Sequence, residues 1–575
     1  MFSRSRSSTS TAGFLILPLI FLLSSVLCPP VSASDAVLEA AKQELTRSMS
    51  GLSKEEVPPY FLSYAITETR QMRMVASFGG IVMDNAKTDR VLDIDLRVGS
   101  HKLDNSHKVR GVAFQFGGGT RGVKLPMGDD VDALRATMWR ATDKAYRSSI
   151  ERLEKVKTNM KVKVQEEDTS ADMSMERSYT YRQQPEGLQF DTAMWRDRIV
   201  KLSEVFVGHP EIYTGSVSFR SELTIKTFVN SEGTEIVQYE PIIQMFISVS
   251  SKADDGMSLP LYESYSAYSA DRLPSYDVLR SDAQRLLDLC LALRKAPLME
   301  TYTGPAILSG RAAGVFFHEI FGHRVEGHRQ KDVNSSQTFK DFVDKKILPD
   351  FIDVVFDPTV KTMKDVDIVG AYAYDDEGMP GQRVVAVDDG IFRSFLMSRS
   401  PIEGFDKSNG HGRSQAGYLP VSRQSNLIVQ ASKTVSVQQL RELLRAECTK
   451  QGKEYGLLFE DIQGGFTFTG RTIPNAFNVI PLVVYKIFAD GRPDELVRGV
   501  DLIGTPLTTF NNIVAAADDI GIFNGTCGAE SGGVPVSASS PSLLVSTIEV
   551  QKKQKSQAKP PILEDPTANN SGVKQ

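Results

Sequence analysis

The segment FFHEIFGHRVEGHRQ, residues 316–330, most constrains what this chain can form. It holds His318, His323 and His328, three of the seven histidines in 575 residues, and Glu319 stands beside the first. Two histidines with an adjacent glutamate are typical of zinc hydrolases, whose helical signature places the histidines four residues apart. Because His318 and His323 are five apart, the spacing itself restricts the backbone between them.

The five-residue spacing is incompatible with a regular helix that presents both imidazoles to one ion. Five residues of α-helix turn through about 140° from one face, so the two rings would diverge. A π-bulge or a break restores convergence, and Gly322, just before His323, permits such a distortion. We therefore predict a bulged or broken helix between His318 and His323.

The residue types in this segment indicate metal-assisted hydrolysis. Neutral imidazole binds zinc, and a catalytic zinc keeps one position open for water. The metal lowers the pKa of that water towards about 7, and a nearby carboxylate takes the proton and later passes it to the leaving amine. We predict His318 and His323 as zinc ligands and Glu319 as the base. Three candidates remain for the third ligand: Glu326, His328 and Cys527.

The N-terminus has the layout of a signal peptide. Arg4 and Arg6 precede the apolar run GFLILPLIFLLSSVL, residues 13–27, and the small residues of CPPVSAS follow. The apolar run is short for a membrane span. We expect cleavage after Ala33 and a periplasmic or secreted mature chain without a membrane span; an uncleaved anchor is the alternative.

Charge and cysteine content narrow the function classes. The net charge is -5 and the sequence has no long basic run, which argues against nucleic-acid binding. Beyond the predicted signal peptide the cysteines are Cys290, Cys448 and Cys527. An odd number in an exported protein indicates that one thiol has another role. Cys290 lies on the apolar face of a predicted helix and Cys448 near the end of another, so we expect both to be structural.

Hydrophobic periodicity predicts an α+β chain. Alternating strands and amphipathic helices mix in the first half, and strands dominate from about residue 298. The predicted units are a signal peptide (1–33), an N-terminal α/β domain (34–175), a middle α+β domain (176–297), a β-rich zinc peptidase domain (298–553) that carries the metal-binding helix, and a disordered tail (554–575).

Several motifs resemble those of one family. HEIFGHRVEG resembles the zinc motif of the TldD/PmbA metallopeptidases, an HExxxH followed by a glutamate and a glycine. The segments DDEGMPGQ (375–382), GRSQAGYLPVSRQSN (412–426) and NGTCGAESGGVPVSASSPSL (524–543) follow in the family's order. The resemblance is strong over about residues 300–550 and weaker, but collinear, over about 176–297.

The resemblance implies a fold and a chemistry. It implies an α/β N-terminal region followed by a β-rich catalytic region. TldD-like members bind Zn²⁺ through two histidines and a distant cysteine, which correspond here to His318, His323 and Cys527, and Glu319 corresponds to the base that activates zinc-bound water. The implied protein is a zinc metallopeptidase that cleaves peptides or unfolded proteins, as a homodimer or as a heterodimer with a PmbA-like subunit.

Two alternatives stay open. The chain could be a non-catalytic PmbA-like partner or peptide-binding subunit of a peptidase complex. It could also be a different HExxxH zinc peptidase with a downstream glutamate ligand, such as dipeptidyl peptidase III, which RAECTK (445–450) faintly resembles.

Two groups of charged residues have two interpretations each. The acidic residues of DDEG (375–378) are either an exposed hairpin loop or a substrate-positioning group. Arg413 and Arg423 either bind a substrate carboxylate or hold a loop.

The signal layout gives a first prediction. We expect N-terminal sequencing of the mature protein to begin at Ser34, because cleavage after the small residue Ala33 fits the small-x-small rule. A fractionation of the producing cells supplies the control. Intact Met1 in the cytoplasmic fraction would contradict export.

Overall fold

A computed structural model describes residues 35–109, 120–161, 168–332, 335, 337–467, 477–504 and 506–553. The predicted signal peptide (1–33) and the predicted disordered tail (554–575) lie outside these residues. The described chain is α+β, as predicted. Within it, no helix is both long enough and apolar enough to cross a bilayer.

The first half of the chain forms one large sheet with helices packed on it. Its helices are α1 (Asp35–Leu52), α2 (Val131–Lys161), α3 (Thr192–Ser203) and α4 (Tyr276–Lys295). Its strands are β1 (Pro59–Ser77), β2 (Gly80–Ser100), β3 (Leu103–Asp104), β4 (Thr120–Lys124), β5 (Thr180–Arg182), β6 (Thr214–Asn230), β7 (Glu235–Lys252) and β8 (Ser258–Ala267). The strand order is β3-β2-β1-β6-β7-β5, with β4 on β2 and β8 on β7.

This sheet crosses the boundary predicted at residues 175 and 176. β1 pairs antiparallel with β2 and, along its other edge, with β6 from the predicted middle domain. The pairing of β1 with β6 joins residues about 150 positions apart, and alternation of side chains does not reveal such a partner. The turn between β1 and β2 lies at Phe78 and Gly79, both of which have positive φ angles.

The second half is rich in strands, as predicted. Its helices are α5 (Gly310–Ile320), α6 (His328–Lys331), α7 (Val437–Lys450) and α8 (Pro506–Asn511). Its strands are β9 (Tyr302–Leu308), β10 (Ile352–Phe356), β11 (Thr362–Met363), β12 (Val366–Asp367), β13 (Val384–Asp388), β14 (Ile391–Phe392), β15 (Gly412–Arg413), β16 (Val421–Ser422), β17 (Asn426–Ala431), β18 (Tyr455–Thr467), β19 (Phe477–Phe488), β20 (Glu495–Val497), β21 (Val500–Gly504), β22 (Ile513–Ala516), β23 (Gly521–Ala529), β24 (Gly532–Ser540) and β25 (Leu543–Lys552).

Two sheets of this half enclose α5. One has the order β14-β13-β10-β17-β24-β23, and in the other β18, β9, β25, β21 and β19 pair in a closed ring. α5 packs against β18 of the ring and against β23 and β24 of the first sheet. A side chain on Gly310 or Gly314 would collide with the backbone of these strands, so the two glycines allow the close approach. A helix that is apolar on nearly all sides, such as α5, is expected in a core.

The acidic turn at residues 375–377 is a partly buried junction between the two halves, not an exposed hairpin loop. Asp376 pairs with Lys226 of β6 at 2.9 Å and accepts the Ser414 backbone N–H at 2.8 Å. Asp375 accepts the N–H of Gly412 at 2.8 Å, and Glu377 accepts that of Arg399 at 2.6 Å. The carboxylates therefore hold neighbouring backbone in place, which sequence pattern alone did not indicate.

This junction gives a pH prediction. Burial raises the pKa of Glu377 to about 7 from 4.5, so the folded chain keeps a proton that the unfolded chain releases. Protonation of Glu377 therefore adds to the free energy of unfolding. This contribution is fully present below about pH 4.5 and is lost as the pH rises through about 7. Glu377→Gln mimics the protonated group. We expect the variant to lose less stability than wild type between about pH 5 and pH 8.5, by on the order of 1–3 kcal/mol.

Thermal unfolding of wild type and Glu377→Gln across this pH range measures the pH dependence of their stability. Glu151→Gln, at an exposed position on α2, is the matched control and should follow wild type. An unchanged pH dependence in Glu377→Gln would contradict the assignment.

Candidate metal centre

The helix that carries His318 ends before His323. α5 begins after Ser309, whose hydroxyl accepts the Ala312 N–H, and it stops at Ile320. Residues Gly322–Arg324 then form a turn of 3₁₀-helix. The break that the five-residue spacing predicts therefore lies between the two histidines.

Buried polar groups stabilise the broken end. The Arg324 guanidinium is almost fully buried and donates to the carbonyls of Glu319 at 3.1 Å and Ile320 at 2.9 Å. These are acceptors that the helix leaves without an internal partner at its end. The Gln424 amide donates to the His318 carbonyl at 3.2 Å. Gly322 leaves room for it, because a Cβ at 322 would lie 1.9 Å from Gln424 Oε1.

The break brings three predicted ligands together. One donor atom from each of His318, His323 and Cys527 lies within 4.8 Å of the others. The Cys527 sulfur lies 3.4 Å from Nε2 of His323, and the two imidazole centres are 5.1 Å apart. Cys527 reaches this place from β23, opposite Val534 of β24. All three side chains are buried.

These residues fit a zinc ion. The Nδ1 of His318 is buried without a hydrogen-bond partner in the described chain, which is costly unless another group binds there. Burial disfavours the Cys527 thiolate, but His323 and His318 outweigh it and hold the pKa of Cys527 well below its usual value. A thiolate is the form that binds metal, and one sulfur with two imidazoles is a donor set typical of zinc. The ligand roles of His318, His323 and Cys527 stay a prediction.

Glu319 follows His318 directly in the last turn of α5. Its side chain is half-buried and lies against β18, where a Cβ on Gly465 would come within 2.5 Å of Glu319 Cγ. Gly465 thus leaves space for the carboxylate next to the strand. The role of Glu319 as the base also stays a prediction.

The other candidate ligands have different partners. His328 Nε2 contacts the Glu530 carboxylate at 2.5 Å, and Glu326 contacts Nδ1 of His323 at 3.3 Å. Glu447, the downstream glutamate of RAECTK, lies on α7 and binds Gln451 and Lys450. None of these side chains belongs to the described group of converging donors.

The two arginines of GRSQAGYLPVSRQSN (412–426) hold loops. Arg413 donates to the carbonyls of Gln424 at 2.7 Å and Pro535 at 2.8 Å. Arg423 donates to the Cys527 carbonyl at 2.6 Å and the Ser531 hydroxyl at 2.7 Å. Both side chains are buried, which favours the loop-holding interpretation over binding of a substrate carboxylate.

The remaining cysteines are structural, as expected. Cys290 and Cys448 are free and buried, each in an apolar cluster. Burial raises the pKa of Cys290 to about 12 and that of Cys448 to about 11. Cys527 is therefore the acidic thiol of the three described.

A charged network that the sequence pattern does not reveal lies beside the three ligands. Glu326 contacts His323, Arg329 and Arg423, and Arg329 also binds Glu530 at 3.0 Å. Burial favours the neutral acid, but Arg329 and His323 lower the pKa of Glu326 to about 2. Three charges within RVEGHR were the available signal, yet only the fold shows that they point inward.

The C-terminal part of the chain is similar to known metallopeptidases. The family model described as PmbA/TldA metallopeptidase C-terminal domain matches residues 301–552. A metalloprotease of Methanocaldococcus jannaschii is 25% identical over 329 residues, which are 56% of this chain and 66% of that protein. A protein of Saccharolobus solfataricus named zinc metalloprotease TldD homolog is 24% identical over 356 residues, 60% of this chain and 73% of that protein. The chain thus spans just under two thirds of the Methanocaldococcus relative.

A solved structure shares the fold. TldE from Thermococcus kodakarensis superposes with a TM-score of 0.59 at 13% identity, over 89% of this chain and 100% of that chain. The family's C-terminal domain covers the three converging residues, and the TldE fold extends over both halves of the molecule. Residues 301–552 thus resemble the C-terminal domain of the PmbA/TldA metallopeptidases, and the described fold resembles that of TldE.

Proposed function

We propose that this chain is an exported zinc metallopeptidase of the TldD type that hydrolyses peptide bonds in peptides or unfolded proteins. The observation that carries the proposal is the convergence of His318, His323 and Cys527 within 4.8 Å, with Glu319 next to His318. Relatives named metalloprotease and zinc metalloprotease support the same activity.

The residues divide the chemistry between them. His318, His323 and Cys527 would hold the zinc, which when bound supplies a Lewis acid that polarises the scissile carbonyl and lowers the pKa of water. The Glu319 carboxylate accepts the proton of the attacking water at one of its oxygens and delivers it to the leaving amine. The backbone of β18 at Gly465 limits where that carboxylate can turn.

The proposal also covers how the substrate binds and how the chain assembles. An extended peptide binds along an exposed strand edge near the centre through main-chain hydrogen bonds. The chain works in the periplasm or outside the cell, as a homodimer or with a PmbA-like subunit. The likeness to TldE concerns the fold, and the complete set of donors and base favours catalysis over a purely structural subunit.

The base is tested by Glu319→Gln. The change leaves His318 and His323 in place and removes the proton acceptor, so we expect wild-type zinc content and a loss of about 10²–10⁴ in activity. Cleavage of labelled casein, an unfolded protein, gives the rate, and elemental analysis gives the zinc. Activity within about tenfold of wild type would exclude Glu319 as the base.

The third ligand is tested by Cys527→Ala. Two histidines leave the site short of the usual three protein ligands, so we expect zinc affinity to fall by at least about tenfold, because even outer-shell partners contribute that much. Competition with a chromophoric chelator measures the affinity. Cys448→Ala, which also removes a buried free thiol, is the matched control and should bind zinc like wild type. Equal affinities in both variants would remove Cys527 from the site.

A further inference from the structure

A buried carboxylate contacts the side of His323 that faces away from Cys527. The two oxygens of Glu326 lie 3.3 and 3.4 Å from Nδ1 of His323. The other ring nitrogen, Nε2, lies 3.4 Å from the Cys527 sulfur. One imidazole ring therefore joins Glu326 to the group of donors, and Glu326 itself is fully buried.

The contact with Glu326 favours one tautomer of the neutral His323 ring. An ionised carboxylate only accepts hydrogen bonds, so Nδ1 of His323 carries a proton there. In a neutral imidazole the second nitrogen then keeps its lone pair. That nitrogen is Nε2, which faces the Cys527 sulfur. The contact thus selects both the tautomer and the orientation that a metal ligand requires.

Neighbouring groups hold the Glu326 carboxylate in its contact with His323. Arg329 Nε donates to one carboxylate oxygen at 2.8 Å, and Arg423 Nε lies 3.5 Å from the other. The next residue, Gly327, donates its backbone N–H to the Leu396 carbonyl at 2.8 Å. Two guanidinium groups and the hydrogen-bonded Gly327 backbone therefore restrict the orientation of the Glu326 carboxylate.

The same network reaches the cysteine. The Arg423 guanidinium, which flanks Glu326, donates to the Cys527 carbonyl at 2.6 Å and to the Gly532 carbonyl at 3.0 Å across the β23–β24 hairpin. Arg423 is also buried. The Glu326 carboxylate therefore contacts both His323 and the arginine that binds the Cys527 hairpin.

We propose that Glu326 is a positioning residue that orients His323 through Nδ1 and, through Arg423, holds the Cys527 hairpin against it. The inference rests on the proposed function, since it concerns the residues assigned there to zinc. The inference adds Glu326 as the residue that sets the positions of His323 and Cys527 before the metal binds.

The test measures zinc affinity rather than catalysis. Competition of the full-length mature protein with a chromophoric chelator gives the zinc dissociation constant for wild type, Glu326→Gln and Glu530→Gln. Glu530 is the matched control, because it binds Arg329 and His328 but its described contacts include neither His323 nor Cys527. We expect zinc affinity to fall about 10- to 100-fold in Glu326→Gln and to change by less than about tenfold in Glu530→Gln.

Cobalt(II) in place of zinc supplies a spectroscopic readout. In Glu326→Gln we expect the ligand-field bands to shift, because His323 turns, while the thiolate charge-transfer band remains, because Cys527 still binds. Unchanged bands and affinity in Glu326→Gln, or equal losses in Glu530→Gln, would overturn the positioning role.

A measurement on the wild-type protein covers the case in which Glu326→Gln does not fold. NMR of zinc-loaded protein with ¹⁵N-labelled histidine, assigned with His323→Gln, should show a proton on Nδ1 of His323 and zinc on Nε2. Zinc on Nδ1 would overturn the inference. Failure of the wild-type protein to bind zinc at all would instead refute the proposed function, so the two failures are distinguishable.

Discussion

The architecture of the candidate centre depends on the capped end of α5. The helix is buried between two sheets until Ile320, where its ladder of hydrogen bonds stops inside the core. Carbonyls exposed by such an end are costly without partners, and the buried Arg324 guanidinium satisfies those of Glu319 and Ile320. Because the end is stabilised there, His323 leaves the helical path and its ring approaches His318 instead of diverging from it.

Cys527 comes from a separate part of the fold, and specific contacts hold its hairpin in place. The β23–β24 hairpin packs along α5, where small residues allow close contact. The Arg423 guanidinium donates to the backbone carbonyls of Cys527 and Gly532 in this hairpin. His323 and Cys527, about 200 positions apart in the chain, thus meet because the hairpin packs on α5 and the buried Arg423 binds its backbone beside the end of that helix.

Sequence reasoning succeeded where the constraint was local. The spacing of His318 and His323 predicted the break, because helix geometry leaves little choice over five residues. The Asp-Gly pair at 389 and 390, a sequence typical of hairpin turns, joins β13 to β14 with the positive φ angles of 47° and 75° that such turns require. Cys527 was joined to the histidines by family resemblance, since no local pattern links positions so distant in the chain.

The misses concern buried charge and long-range pairing. The acidic turn at 375–377 and Arg413 have the composition of exposed loops, yet the fold buries them against backbone groups, and a polar residue does not reveal its partner in sequence. The pairing of β1 with β6 was not predicted either. Alternation of side chains shows which face of a strand is buried but not which strand lies beside it. The central claim is that one sulfur and two imidazoles form a zinc site. X-ray absorption at the zinc edge of the purified, zinc-loaded protein tests it most directly: the account predicts one sulfur at about 2.3 Å with two imidazole nitrogens at about 2.0 Å, and a spectrum with only nitrogen and oxygen neighbours would contradict it.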